Sequence, residues 1–304
     1  MGRRGFHLLL LTVVLQWGLA FVALKIVLRH ASPLGLAMFR FAITAAAFAI
    51  LMATWPPARA RIERADVGRL AVMALAGVGG YHLALNYGQQ FVSAGVAALI
   101  VAAMPVMVAV LSSRVLGETI TPARKAGIAI ALGGVAVLTL LAVPGSTLEV
   151  SSLRGAVLVL SPVCWAVYTV LAKPLVAKYG GLPVTAITMI AGSVLIAPFA
   201  IGPGLRDLPR LDGSDWAWLA FLALGCTVYA YAVWNLALTK LEASSTAAWI
   251  YLVPLFSLTW GWALLGEGLT AWVILGGAMV LGGVILSERV APRMAGRAEA
   301  RAAA

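Results

Sequence analysis

The sequence predicts an all-α membrane protein, with ten transmembrane helices in two inverted five-helix repeats and both termini in the cytoplasm. Composition is the first reason: 62% of the 304 residues are hydrophobic and 11% are charged. A soluble domain is typically about 45–50% apolar and about 25% charged. The other two reasons are a series of long apolar segments and a similarity between the two halves of the chain.

Ten apolar segments follow one another, each close to the roughly 20 residues that a helix needs to cross the bilayer core. They cover residues 6–28, 32–54, 67–87, 91–113, 122–142, 154–172, 183–201, 214–237, 244–265 and 270–287. Proline and glycine mark several breaks, as at Pro56-Pro57 and Pro144-Gly145. No linker is long enough to separate soluble domains.

The first segment resembles a secretory or twin-arginine signal, because Arg3 and Arg4 precede an apolar run. The run extends to Leu28, which is too long for a signal core, and lacks an Ala-x-Ala cleavage site. It also has a counterpart later in the chain. We therefore expect it to remain as a membrane span.

The distribution of lysine and arginine sets the orientation. With the N-terminus inside, 16 of these residues lie on the cytoplasmic side and 5 on the outer side, and Arg40 remains within a span. Cytoplasmic loops of membrane proteins carry such an excess. The net charge of +11 is therefore attributed to membrane orientation, and nucleic-acid binding is not expected.

The second half of the sequence repeats the first at a shift of 149 residues. Asn86 corresponds to Asn235, Pro105 to Pro254, and Leu116-Gly117-Glu118 to Leu265-Gly266-Glu267; at a shift of 148, Trp17 corresponds to Trp165. The predicted units are residues 1–143, residues 144–288 and a basic cytoplasmic tail of residues 289–304. Five spans per repeat is an odd number, so the second copy is inverted, as in secondary transporters, whose substrate site lies between the halves.

Polar and aromatic residues in the middle of spans are the candidate substrate contacts. His82 and Asn86 share a helix face, as do their counterparts Tyr231 and Asn235, and helix–helix hydrogen bonding is the alternative for them. Central aromatic residues could line a cavity for a flat ligand, or they could be packing. The complete candidate set is Gln16, Trp17, Tyr81, His82, Asn86, Trp165, Tyr168, Tyr231, Asn235, Trp249 and Tyr251.

Charged residues are scarce inside the spans. Arg40 is a candidate contact for a substrate carboxylate, and structural pairing is the alternative. No acidic residue lies in the middle of a span, which makes proton-coupled export of cations unlikely; Glu118 and Glu267 are interpreted as structural residues at span ends. Three scattered histidines predict no metal site, and no cofactor is expected.

Pro105 and Pro254 fall within spans four and nine. Proline removes a backbone hydrogen bond and bends a helix. In transporters such breaks act as hinges or gates, or expose carbonyl groups to a substrate. A static kink is the alternative.

These features resemble the EamA family of the drug/metabolite transporter superfamily over essentially residues 6–288. The resemblance rests on the five-plus-five pattern, Ser32-Pro33 with Arg40, and the repeated Pro…Leu-Gly-Glu-x-x-Thr. Size and aromatic content are also similar to YddG-type amino-acid exporters. The resemblance implies a multi-pass protein of the bacterial inner membrane that exports aromatic and other neutral amino acids by alternating access.

Other functions remain open at this stage. Nucleosides, sugars or drugs are alternative substrates within the superfamily, and a membrane-embedded lipid-modifying enzyme is an alternative of another class. The enzyme should show clustered Asp or His with metal-ligand spacing, which the sequence lacks. We expect the partners to be a small-molecule substrate and the bilayer, and the chain to be a monomer.

Overall fold

The computed structural model describes residues 3–115, 122–141, 156–240 and 248–289. Helices account for nearly all of these residues, and no strand occurs among them. In chain order they are α1 (Arg3–Val27), α2 (Pro33–Thr54), α3 (Arg64–Ala74), α4 (Tyr81–Gly88), α5 (Ala94–Val101), α6 (Met104–Val115), α7 (Pro122–Leu140), α8 (Leu160–Tyr179), α9 (Gly181–Asp207), α10 (Gly213–Ala220), α11 (Ala230–Lys240), α12 (Val253–Leu265) and α13 (Ala271–Arg289).

Six stretches of helix are long and apolar enough to cross a membrane: His7–Val27, Pro33–Thr54, Arg64–Gly88, Val157–Tyr179, Gly181–Arg210 and Gly213–Ala237. Four shorter apolar helices cover Ala94–Val108, Lys125–Leu138, Val253–Leu265 and Ala271–Gly283. The all-helical, multi-pass membrane class is therefore confirmed. Ten spans and cytoplasmic termini remain predictions.

Two spans contain a widened, π-helical turn. Leu75–Gly80 joins α3 to α4, and Phe221–Tyr229 joins α10 to α11. A shift of 149 residues places the first segment inside the second. π-Helical turns are rare and often occur at functional sites. Here they directly precede the candidate residues His82 and Tyr231.

The helices that contain Pro105 and Pro254 are interrupted just before the proline. α5 ends at Val101, and α6 begins at Met104 with Pro105 as its second residue. A 3-10 segment, Ala248–Leu252, precedes α12, in which Pro254 is again the second residue. Proline is tolerated in a first helical turn because the N–H it lacks would have no partner there. Each proline therefore starts a helix rather than bending one from inside.

The two halves are interleaved. The most extensive helix–helix contacts are those of α7 with α13, α2 with α9, α1 with α12 and α6 with α8, and each joins one half to the other. Glycines bring α7 and α13 together: a Cβ at Gly134 would lie 2.7 Å from the Gly276 oxygen, and one at Gly283 would lie 2.5 Å from the Gly127 oxygen. Gly276 and Gly283 are the counterparts of Gly127 and Gly134, so the crossing follows the internal repeat.

Glu267 has the structural role expected for a residue at a span end. Its Oε1 accepts a hydrogen bond from the Ala94 N–H at 2.8 Å, at the start of α5. Lys25 supports the preceding turn by donating to the Gln89 carbonyl at 3.4 Å. The repeat counterpart of Glu267, Glu118, lies outside the described residues.

Candidate functional site

A cavity lies between the two halves of the chain. The residues around it are mainly aromatic and aliphatic, with Arg40 as the charged group. The lining consists of Trp17, Ala20, Phe21, Leu24, Arg40, Tyr81, His82, Leu85, Val101, Met104, Trp165, Cys226, Tyr231, Ile250 and Val253.

Both halves of the chain contribute equivalent residues to the cavity. Four pairs of repeat counterparts line it together: Trp17 with Trp165, His82 with Tyr231, Val101 with Ile250, and Met104 with Val253. Two of these pairs are in mutual contact. The Trp17 and Trp165 rings meet edge to face at a centroid distance of 5.7 Å, and His82 Nε2 lies 3.1 Å from the Tyr231 hydroxyl.

Aromatic rings form a continuous wall. The Trp165 ring lies 5.2 Å from Tyr231 and 5.3 Å from Tyr81, measured between centroids. The Trp17 Nε1 donates to the Cys226 carbonyl at 3.0 Å, which fixes the indole within the wall. These separations lie in the range of favourable aromatic pairs. The wall offers ring faces and edges to a flat ligand.

Arg40 is 3% exposed, and its guanidinium is held by one side chain. Its Nε and Nη2 atoms donate to Thr227 Oγ1 at 3.1 and 2.9 Å. No carboxylate among the described residues lies within ion-pair distance of it. Within the described part of the chain Arg40 therefore has no ion pair, and its structural partner is the Thr227 hydroxyl.

His82 presents a second polar group at the cavity. Its side chain is buried, its Nε2 faces the Tyr231 hydroxyl, and its Nδ1 has no hydrogen-bond partner. Buried polar atoms in proteins are normally satisfied. His82, a lining residue, therefore has one ring nitrogen without a partner among the described residues.

Three candidate residues lie outside the cavity lining and bind other helices. The Asn86 amide donates to the Pro33 carbonyl at 3.3 Å, at the start of α2. The Asn235 amide donates to the Tyr168 hydroxyl at 3.1 Å and also bonds to Thr185, in the first turns of α9. The two asparagines thus make related contacts in the two halves. The two amides and Tyr168 therefore support helix packing. The substrate contact predicted for these three residues is not made through this cavity, because none of them lines it.

Gln16, Trp249 and Tyr251 are also absent from the lining. The Gln16 side chain packs against Gly225, where an added Cβ would lie 2.7 Å from its Oε1. The Trp249 ring stacks on His7 at a centroid distance of 5.7 Å, near the start of α1. The Tyr251 side chain lies outside the described residues. Of the candidate contacts, the cavity brings together Trp17, Tyr81, His82, Trp165, Tyr231 and Arg40.

The structure adds cavity residues that the sequence analysis missed. Met104 and Val253 directly precede Pro105 and Pro254, so the interrupted helices present their ends to the cavity. Cys226 also lines the cavity and belongs to a π-helical turn; its neighbour Thr227 lies outside the lining. The repeated proline could have indicated the first pair, because it marks a break in a central span. Composition carries no signal for the π-helical turn.

His30 lies in a cluster with two aspartates that the sequence analysis did not predict. The ligand atoms of His30, Asp212 and Asp215 all lie within 4.8 Å of one another. The two aspartates form a capping box at the start of α10, and His30 Nδ1 lies 2.8 Å from Asp215 Oδ2. These contacts make the cluster a helix cap joined to the end of α1.

The profile of the EamA-like transporter family matches the chain twice, at residues 5–140 and 154–289. An "Uncharacterized transporter" of Archaeoglobus fulgidus is 34% identical over 93% of this chain and 98% of its own length. A "Probable terminal-alkyne amino-acid exporter" of Streptantibioticus cattleyicolor is 33% identical over 92% of each chain. A "Probable amino-acid metabolite efflux pump" of Escherichia coli is 27% identical over 92% of this chain and 93% of its own.

The fold is also similar to that of a protein solved by crystallography. The two structures superpose with a TM-score of 0.65, over 96% of this chain and 99% of the other, at 20% sequence identity. At this identity the likeness concerns the fold alone. The helical arrangement described above is therefore shared with a protein of distant sequence.

Proposed function

This chain belongs to the EamA-like transporter family, and from that premise we propose that it exports small metabolites, chiefly aromatic and other neutral amino acids. Export would proceed by alternating access: the two inverted halves would rock about the central cavity and open it to one side of the membrane at a time. We place the protein in a bacterial cytoplasmic membrane, with ten spans and both termini inside.

The aromatic cavity that both halves line is the observation that carries the proposal. Its position suits alternating access because both halves contribute equivalent residues to its wall. Its ring faces suit an aromatic side chain. Arg40 and the free Nδ1 of His82 provide polar partners for the zwitterionic end.

The names of two relatives support the same substrate class. The Streptantibioticus and Escherichia relatives are named as amino-acid exporter and amino-acid metabolite efflux pump, and both align over more than nine-tenths of this chain. Identities of 33% and 27% support metabolite export as a class. The preference for aromatic side chains is argued from the cavity lining alone.

Nucleosides, sugars or drugs are the competing substrates within the family. Cationic drugs fit poorly, because the lining contains a guanidinium and no carboxylate. Sugars would need many more hydrogen-bonding groups than this wall provides. A lipid-modifying enzyme is the competing function of another class, and the named relatives are transporters.

Counterflow in proteoliposomes tests the proposal. Purified protein would be reconstituted with unlabelled tryptophan inside, and entry of labelled tryptophan would be followed, with protein-free liposomes as the control. The same vesicles would be challenged with phenylalanine, threonine, uridine and a cationic dye as competitors. We expect competition by phenylalanine, weaker competition by threonine, and none by uridine or the dye.

A preparation that exchanges uridine or the dye but no amino acid would contradict the proposed substrate and leave the family assignment intact. A thermal unfolding scan on the same preparation separates failure of binding from failure of reconstitution. A bound substrate raises the unfolding temperature of a folded protein.

A further inference from the structure

The side chain of Arg40 has one occupied edge and one open edge. Nε and Nη2 both donate to Thr227 Oγ1, while no described residue accepts a hydrogen bond from Nη1. The Thr227 hydroxyl donates in turn to the Leu222 carbonyl at 2.8 Å, five residues earlier in the π-helical turn. With its hydrogen committed there, the Thr227 oxygen faces Arg40 as an acceptor only.

An open guanidinium edge in an apolar cavity calls for an anion. Burying an unpaired charge is costly, and the arginine fork binds a carboxylate through two parallel hydrogen bonds. Arg40 lines the cavity, and no other charged side chain lines it. A ligand that brings one carboxylate would neutralise the site, whereas a ligand that brings only a cation would add a second positive charge to it.

We propose that the Nη1–Nη2 edge of Arg40 binds the substrate carboxylate and that Thr227 is the positioning residue that keeps this edge turned to the cavity. This inference rests on the proposed function and narrows it: the substrates are carboxylic acids with a flat or apolar side chain. The carboxylate is required, and the amino group contributes less. Transported molecules therefore carry a carboxylate, and the corresponding amines do not bind.

Three analogues with the same ring test the carboxylate requirement. Tryptophan, indole-3-propionate (which lacks the amino group) and tryptamine (which lacks the carboxylate) would compete for tryptophan counterflow, and each would be tested for its effect on unfolding temperature. We expect the two carboxylates to compete and to stabilise the protein, and tryptamine to do neither. Tryptamine competing as well as tryptophan would overturn the proposal while leaving amino-acid export standing.

Variants of Thr227 test the positioning role. Thr227→Val keeps the branched shape and removes the oxygen that accepts the two hydrogen bonds from Arg40. We expect the KM for tryptophan to rise by about tenfold or more, with a smaller change in kcat, and Thr227→Ser to restore it substantially. Arg40→Lys should also raise the KM for tryptophan, because an ammonium group cannot form the two parallel hydrogen bonds that a guanidinium gives to a carboxylate.

Thr44→Val is the matched control. Thr44 is equally buried and lies on α2, but its hydroxyl donates to the Arg40 backbone carbonyl and leaves the guanidinium untouched. An equal rise in KM in Thr44→Val and Thr227→Val would show that loss of any buried hydroxyl produces the effect, and would contradict the positioning role. If no variant and no parent protein responds to any indole carboxylate, the proposed function itself fails.

A second observation, independent of the cavity, concerns the two ends of the bundle. Asp66, at the start of α3, accepts from Lys178 Nζ at 2.8 Å and from the Tyr179 hydroxyl at 2.6 Å, at the end of α8. Asp215, in the first turn of α10, pairs with His30, just after α1. Asp66 and Asp215 are repeat counterparts, and so are His30 and Tyr179, so the same contact occurs twice.

Each contact joins one half of the chain to the other, and the predicted inverted topology places the two contacts at opposite membrane faces. The aspartates are buried, with 7% and 1% of their surface exposed. Opening the cavity to one face would separate the halves at that face and break the contact there. We infer that the Asp66 and Asp215 contacts are latches that alternately close the cytoplasmic and the outer face.

Accessibility of Cys226, which lines the cavity, reports which face is open. In a Cys164→Ser background, Cys226 is the remaining thiol of the chain. It would be labelled with a membrane-impermeant reagent applied to right-side-out or inside-out vesicles. We expect Asp66→Asn and Lys178→Met to increase labelling from the cytoplasmic face, and Asp215→Asn and His30→Ala to increase labelling from the outer face.

Each latch is thus tested through both of its partners, so one unfolded variant does not decide the result. Arg206→Gln, which changes an exposed residue with no pairing contact in the described structure, is the control and should change neither rate. Latch variants that shift labelling in the same direction at both ends, or that shift it at neither, would overturn the inference.

Discussion

Trp165 contacts three aromatic residues of the cavity lining: Trp17, Tyr81 and Tyr231. Its repeat counterpart, Trp17, contacts two of the lining aromatics, Trp165 and Tyr231. Its side chain is 2% exposed and is the natural surface for a stacked ligand ring. The indole is therefore the single side chain whose loss should change preference among substrates most.

Trp165→Ala should weaken transport of tryptophan or phenylalanine severalfold more than transport of threonine. An aromatic contact contributes about 0.5–1.5 kcal/mol beyond its buried area, and threonine makes no such contact. The measurement is the ratio of initial counterflow rates for an aromatic and a small substrate. Trp272→Ala, at a position that is 48% exposed, is the control and should leave the ratio unchanged. Equal losses for both substrates would mean that Trp165 only supports packing.

The sequence identified the cavity residues Trp17, His82 and Trp165, because aromatic or polar groups in the middle of a span are unusual. It could not separate His82 from Asn86. Both lie on one helix face, but one turn along that face the neighbours change from the cavity to the start of α2. Contacts with other helices decide the role of each residue, and spacing within one helix does not contain them.

At the scale of elements, the α7–α13 pair depends on glycine. Backbone atoms occupy the space where a Cβ would stand at Gly134 and Gly283, whereas nothing lies within 4 Å of a Cβ at Gly282. Small residues allow membrane helices to approach each other closely and gain van der Waals contact. Substitutions at these glycines therefore measure how much the close contact between α7 and α13 contributes to the stability of the protein.

Gly283→Ala should lower the unfolding temperature in detergent, because overpacking a close contact typically costs about 1–3 kcal/mol. Gly282→Ala, one residue away on the same helix, should have little effect. Fluorescence-detected size exclusion after heating would give both midpoints from unpurified material. Equal midpoints for the two variants would contradict the backbone contact.

Elements differ in how far their sequence predicts them. The repeated prolines predicted the broken spans, since proline constrains the backbone directly. The π-helical turns at Leu75–Gly80 and Phe221–Tyr229 had no such signal. A single additional residue in a turn leaves the apolar character of the span unchanged, so hydropathy does not detect it.

At the scale of the whole molecule, the first prediction concerns the orientation of the chain in the membrane. An inverted repeat of five spans requires that both termini lie on the same side. Reporter fusions after residue 60 and after residue 304 should both report the cytoplasm, because the excess of lysine and arginine lies on that side. A periplasmic signal from either position would break the inverted arrangement. The same result would remove the assignment of the Asp66 latch to the cytoplasmic face.

Energetics is the second whole-molecule prediction. No carboxylate lines the cavity, and the acid Glu267 is engaged at the start of α5. Transport should therefore be downhill and largely independent of a proton gradient. Imposing a pH gradient on substrate-loaded proteoliposomes should leave the initial rate unchanged; concentrative movement that an uncoupler collapses would refute this.

Aromatic rings from both halves line the cavity, so the rings alone leave a flat guest more than one possible pose. Arg40 ends that degeneracy, because the counterpart position 149 residues later holds Met189, whose side chain is buried. A guest with one anionic end therefore has a single pose. Isotopically labelled tryptophan in the cavity should accordingly give one set of bound resonances, with its carboxyl carbon near Arg40, instead of a doubled set.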